Sequence, residues 1–238
     1  MIIATNVSKQ FGKLKALDNV SLTLNRGQSV SLIGPNGSGK TTFIKCLLGM
    51  VVPDHGFITV NDKNIIHSWK YREIIGYMPQ IGRYPDNMTI GQLISMMKDI
   101  RKGSSLHLDD ELYQAFELDK ISDKRMRTLS GGTRQKVSAT LAFMFAPQIL
   151  ILDEPTAGLD PMASEILKDK IRREKQNGKL ILITSHILSD LDEIVSEIVY
   201  LQDGKLMFHK SLEQLKKETG QEKLSRAIVN VMNTNRPS

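Results

Sequence analysis

Cysteine is nearly absent from the 238 residues: Cys46 stands alone, so no internal disulfide can form, which suits a reducing compartment. Its helical spacing after Thr42 and Phe43 predicts a buried small hydrophobe rather than a nucleophile. Aromatics make up only 5% and no dense Lys/Arg run occurs. That argues against a nucleic-acid partner even though the net charge is +6. A mild basic excess fits equally a phosphate-handling protein or one working at an anionic membrane surface. Long apolar runs are missing too. Leu141–Ala146 and Ile149–Leu152 are split by Pro147 and Gln148, far short of the roughly 20 residues that a membrane helix needs. The start, Met1-Ile2-Ile3-Ala4-Thr5, has no basic region ahead of an apolar one, so no secretory signal is expected. Internal repeats and low-complexity tracts are absent. What is present, 40% hydrophobic and 24% charged residues, is an ordinary globular composition, long enough for one large domain or two small ones.

Period-two alternation predicts strands at Ile2–Val7, at Leu17–Leu24 with Leu22 and Leu24 on one face, and at Phe57–Val60. Turn residues at Asn25-Arg26-Gly27 and Pro53-Asp54-His55-Gly56 separate them. Ser29–Ile33 reads as a short apolar strand running into Gly34, and Thr41–Leu48 as a helix ending at Gly49. From about Ile90 to Ala146 the spacing turns helical, as in Ile90, Leu93, Ile94 and Met97. Met96 and Met97 read as packing residues rather than a soft-metal pair. Beyond these, strands at Ile149–Leu152, Lys179–Thr184 and Ile198–Leu201 alternate with helices near Ala163–Gln176 and Leu188–Ser196. Such alternation predicts a mainly parallel sheet with helices on its faces. A tail from about Ser211 carries an amphipathic segment and a turn-like end at Asn233–Ser238.

Gly34-Pro35-Asn36-Gly37-Ser38-Gly39-Lys40-Thr41-Thr42 matches Gly-x4-Gly-Lys-Ser/Thr between a strand and a helix. Glycines there let backbone N–H groups turn inward around a polyphosphate, and the helix start adds partial positive charge. Lys40 would reach the outer phosphates and the Thr41 hydroxyl would ligate Mg²⁺. Ile149–Leu152 ends in Asp153 and Glu154. A buried strand ends in acids where solvent, a cation or a ligand receives them. Alone, the pair reads as an exposed strand end. Beside the glycine loop, Asp153 is a candidate Mg²⁺ ligand and Glu154 a candidate base for an attacking water.

Leu129-Ser130-Gly131-Gly132 resembles the signature motif of the ABC ATPase family. The resemblance spans about Ile2 to His209 and extends in order through further motifs. Gln80 in Tyr77-Met78-Pro79-Gln80 is similar to a glutamine that contacts Mg²⁺ and water. Ala157-Gly158-Leu159-Asp160 resembles the loop that crosses the dimer interface, and His186 after Thr184-Ser185 resembles the switch histidine. Phe11 stands where the family has an adenine-stacking aromatic. Two residues depart from the pattern: Thr133 replaces the usual Gln, and Phe11 lacks a hydroxyl. Neither is expected to touch the phosphate chemistry.

The resemblance implies an α/β fold: a P-loop NTPase core with a mainly parallel sheet, an N-terminal antiparallel β-subdomain and an inserted α-helical subdomain. It implies an ATPase domain over residues 1–210, the helical subdomain at about 81–145, and a C-terminal helical tail over 211–238. ATP and Mg²⁺ are the implied cofactors. The implied ligands are Phe11, Gly34–Thr42 and Gln80 for the bound nucleotide and Thr41, Gln80 and Asp153 for the metal, with Glu154, His186 and Lys40 catalytic. Ser130, Gly131, Gly132 and Asp160 would meet the ATP held by a second copy, so the implied partners are a head-to-tail homodimer and multi-span permease subunits. The implied place is cytoplasmic, peripheral on the inner face of the cell membrane. Tyr84-Pro85 stands where a permease contact would begin and reads equally well as ordinary loop. Gly76–Met88 and Met126–Lys136 look like the ATPase of the nitrous-oxide reductase maturation system, which serves a periplasmic copper site. An exporter ATPase for drugs or polysaccharide is the alternative, and a non-transport ABC ATPase a more distant one. The chain itself shows no copper-ligand cluster.

Overall fold

The computed structural model describes residues 1–101, 108–185, 194–221, 226–227 and 230. The chain divides into two compact units, Met1–Tyr71 with Leu182–Ser238, and Arg72–Ile181.

In the first unit, β1 (Ile2–Phe11) and β2 (Leu14–Leu24) form an antiparallel hairpin through Gly12 and Lys13. Val20, Leu22 and Leu24 of β2 are buried while Ser21 and Thr23 are exposed, the alternation that a half-buried strand requires. Then β4 (His55–Val60) pairs with the other edge of β1, and β5 (Lys63–Asn64) follows, giving the order β2-β1-β4-β5. All five residues of β3 (Ser29–Ile33) are buried, and β3 runs parallel to β9 (Glu197–Gln202). Helix α1 (Lys40–Leu47) buries Phe43, Ile44, Cys46 and Leu47 and stops before Gly49, whose φ is +64°. Burial holds Cys46 as an inert thiol, its pKa pushed up to about 11.

β10 (Lys205–Ser211) pairs antiparallel with β9, a strand that sequence pattern does not predict. Only Phe208 among its side chains is buried, so no apolar period of two marks it. The amphipathic tail is realised in α6 (Leu212–Thr219), which opens on a capping box of Ser211 and Gln214 and closes at Gly220.

The second unit holds β6 (Ile75–Met78) parallel to β7 (Ile149–Asp153), with Met78 opposite Leu152. Among the described residues, the helical region predicted from Ile90 to Ala146 is broken into three helices. These are α2 (Ile90–Ile100), α3 (Glu111–Ala115) and α4 (Gly131–Phe143), with 3-10 turns at Leu118–Ile121 and Met126–Thr128. Glu117 and Ala146 take left-handed backbone conformations, at φ +53° and +44°, which no continuous helix allows. Met96 and Met97 are half-buried on α2, and among the described residues no His, Cys, Asp or Glu cluster suited to a metal occurs. α5 (Pro161–Gln176) follows. The chain crosses from the second unit to the first inside β8 (Leu180–Thr184), five buried residues.

Most of the helix expected near Leu188–Ser196 lies outside the described residues, and Ile194–Ser196 are not helical. Among the described residues, no helix is long and apolar enough to cross a membrane.

Candidate nucleotide site

In the first unit, the turn from β3 into α1 is built from conformations that only glycine adopts freely. Gly34, Gly37 and Gly39 have φ of +153°, +80° and +102°. A Cβ on Gly34 would lie 2.1 Å from the Leu201 carbonyl oxygen, and one on Gly39 2.5 Å from that of Ala16. The backbone therefore approaches its neighbours more closely than any other residue permits. The loop is braced from the β9–β10 turn, where Gly204 N–H donates to the Ser38 carbonyl at 3.2 Å.

Two features leave this cradle ready for an anion. Helix α1 has Gly39 at its N-cap and no side-chain cap, so its first N–H groups keep their partial positive charge. Among the described residues the buried Ser38 hydroxyl has no hydrogen-bond partner. Lys40 Nζ folds back onto the loop and donates to the Gly34 and Pro35 carbonyls at 2.7 and 3.0 Å. Phe11 closes β1 with 48% of its surface exposed and Lys9 Nζ 5.5 Å from its ring centre.

In the second unit, β6 and β7 end side by side. Their register puts the chain leading to Gln80 at the same edge as Asp153 and Glu154, and Gln80 is exposed there. Gly76 allows this packing, since a Cβ on it would lie 2.0 Å from the Ala142 carbonyl of α4. Glu154 has φ +52°, strained for a residue with a side chain. Strain of this kind, of order 1–3 kcal/mol, persists where surrounding contacts over-determine the backbone and is concentrated at working sites. Burial, with Asp153 nearby, pushes the Tyr77 hydroxyl up to about 12.

Ser130 caps α4, its Oγ accepting from Thr133 N–H at 3.2 Å and lying 2.8 Å from Thr133 Oγ1. Thr133, a departure from the family pattern that is not expected to touch the phosphate chemistry, therefore engages Ser130 directly. Gly132 lies so close to the loop at 158 that a Cβ on it would sit 2.8 Å from the Gly158 carbonyl, whereas Gly131 faces open space. Asp160 caps α5, accepting from Ala163 N–H at 2.8 Å, and its other oxygen pairs with Lys136 Nζ at 2.8 Å. The Lys136 ammonium holds the Asp160 carboxyl below the usual range.

The structure thus gathers the glycine loop in one unit. In the other it gathers Gln80, Asp153, Glu154, the Ser130–Gly132 helix start and Asp160. His186 lies outside the described residues. Gln135 and Lys136, which reach the Glu154 carbonyl (3.4 Å) and Asp160, were not singled out from sequence. The signal for them is their position one helical turn past the glycines.

The family model for the ABC transporter matches residues 17–157, more than half the chain. The chain belongs to the ABC transporter family. An ABC transporter ATP-binding protein of Bacillus subtilis, YhaQ, is 31% identical over 94% of this chain and 76% of its own length. The Nod factor export ATP-binding protein I of Ralstonia nicotianae is 30% identical over 83% of this chain, which spans 63% of that relative's length. Among solved structures, an ATP-binding subunit of an ABC transporter superposes with a TM-score of 0.89 at 27% identity, covering 98% of this chain and 99% of that one. The fold is the ABC cassette of P-loop NTPases, an ATP-hydrolysing module, with its antiparallel N-terminal sheet and mainly parallel strands.

Proposed function

We propose that the chain is the ATPase subunit of an ABC membrane transport system, dimerising head to tail around two MgATP to drive separate multi-span permease subunits. One observation carries this reading: the left-handed glycine loop Gly34–Thr42 opens onto an uncapped helix, with a buried, partnerless Ser38 hydroxyl beside it. That cradle suits a polyphosphate, and Phe11 offers an exposed ring for adenine. The chain carries one such loop and one signature helix start. If the signature serves a different ATP, two copies are needed to close two sites.

In this reading Lys40 leaves the Gly34 and Pro35 carbonyls to meet the outer phosphates. Glu154, held in its strained turn, takes the proton of the attacking water, and Lys40 and His186 balance charge as the γ-phosphate departs. Thr41, Gln80 and Asp153 all present oxygen atoms, the donor chemistry that Mg²⁺ prefers. Bound there, the ion would neutralise phosphate charge. Ser130, Gly131, Gly132 and Asp160 would face the partner copy's nucleotide.

The direct test is Glu154→Gln. Hydrolysis should fall by about 10² or more, while light scattering should detect an ATP-held dimer that wild type does not accumulate. Unchanged turnover with no dimer would overturn Glu154 as the base.

For the transported cargo, the wording of Gly76–Met88 and Met126–Lys136 supports the system that matures the copper site of nitrous-oxide reductase. An export ATPase is the second reading, supported by relatives named for Nod factor export and daunorubicin resistance. Deleting the gene and assaying copper loading of nitrous-oxide reductase against drug efflux separates them. Peripheral attachment at the inner membrane face follows from the permease partnership. Co-purification with a multi-span membrane protein tests it, and recovery of a ribosome or nucleic acid instead would overturn it.

A further inference from the structure

We propose that Lys136 is a positioning residue that locks the loop Ala157–Asp160 onto the helix opened by Ser130, so that the two segments meet a partner copy as one preformed surface. The inference rests on the dimeric reading above and deepens it.

Gly132 and Lys136 are four residues apart on α4 and therefore share one helical face. Both meet the same loop. Gly132 lets the backbone come within the reach that a Cβ would block, 2.8 Å from the Gly158 carbonyl. Lys136 Nζ closes the other end of the loop on Asp160 Oδ2 at 2.8 Å. Asp160 is fixed from its far side as well, because Oδ1 caps α5 through Ala163 N–H. A third point holds the lysine itself. Its ammonium lies 5.9 Å from the ring centre of Phe116, a buried residue directly after α3, within cation–π range.

Lys136 is half-buried and Asp160 exposed, with side-chain exposures of 25% and 52%, so the pair is a weak bond by itself. Its value lies in order. A loop that had to be arranged during association would charge that entropy against dimer formation, whereas a loop already held adds nothing further. In the reading above, nucleotide binding to a single chain uses the glycine loop, whereas Lys136 holds Asp160 and Phe116, so the effect belongs to turnover and dimer closure rather than to first binding of ATP.

The experiment is a double-mutant cycle on the full chain. Lys136→Gln should lower kcat roughly three- to fivefold, the scale of a partly exposed ion pair. Binding of a fluorescent ATP analogue at protein concentrations below dimerisation should stay unchanged. Asp160→Asn keeps an oxygen that can cap α5 and removes the charge, and should give at least the same fall, since Asp160 also faces the partner copy's nucleotide in the reading above. The double variant should be no slower than Asp160→Asn alone. Lys136→Arg, which preserves both the charge and the ring contact, should restore turnover. Wild-type kcat in Lys136→Gln, additive losses in the double variant, or failure of Lys136→Arg would each overturn the proposal. A wild-type rate per molecule that ignores protein concentration would instead overturn the dimeric reading. The cycle would still decide whether the two residues are coupled.

Discussion

At the scale of single residues, the glycine loop owes its shape to what it excludes. Gly34→Ala should destabilise the protein by at least about 1–3 kcal/mol, the scale of backbone strain at φ +153°, because its methyl group would in addition meet the Leu201 carbonyl oxygen at 2.1 Å. Urea unfolding measures the loss, and ATP-analogue binding should disappear with it. Ser38 gives the opposite sign. Its hydroxyl is buried without a protein partner, so Ser38→Ala should leave the nucleotide-free protein as stable or about 1 kcal/mol more so. ATP affinity should nevertheless fall, a split readable by thermal melts with and without nucleotide. Both residues were visible in sequence, because a phosphate loop is a local object of nine consecutive positions. Thr133 was visible only as a departure, since its hydroxyl bond to Ser130 depends on the helix cap that both residues form.

At the scale of elements, the second unit carries a buried charge network that no local pattern reveals. Lys170 of α5 is almost fully buried and bonds Asp109 at 2.5 Å, Glu111 at 2.8 Å and Glu174 at 2.9 Å, while Lys179 pairs with Glu174 at 2.5 Å. These contacts fasten the start of α3 at Glu111, and Asp109 just ahead of it, to α5 across 59 and 61 positions of sequence. Lys170→Met takes the cation from Asp109 while Glu174 keeps Lys179 and Glu111 keeps Arg173, so it should cost about 1–3 kcal/mol in denaturant unfolding.

The pH dependence has a definite sign. Burial works to raise both Glu174 and the cost of the Lys170 charge, but the hydrogen bonds win. Glu174 is held below its ordinary 4.5, and Lys170 is raised above 10.5. The Glu174 contribution is therefore fully present above about pH 4.5 and is lost as pH falls through its lower folded value. The Lys170 contribution is complete below pH 10.5. Melting temperature should be flat with respect to this network near neutrality and should drop on acidification, and the drop should shrink in Lys170→Met. The elements themselves were mostly legible from periodicity, as β3 and α5 illustrate. β10 was not, because its side chains are largely unburied and its existence depends on pairing with β9.

At the scale of the molecule, a site completed by a second copy implies that the ATPase rate per chain rises with protein concentration and levels off, which a dilution series would test. Sequence by itself determined the family, and it carries the proposed site: Gly34–Thr42, Ser130-Gly131-Gly132, Asp153-Glu154 and their order are contiguous strings whose proposed roles need particular residue types in particular spacing. It could not determine which remote groups support those strings. The brace from Gly204 onto Ser38, the hold of Lys136 on Asp160 and the burial of Lys170 join positions separated by many residues. Such contacts arise when strands pair and helices pack, and the energy that selects them is spread over a core that no short window of sequence contains.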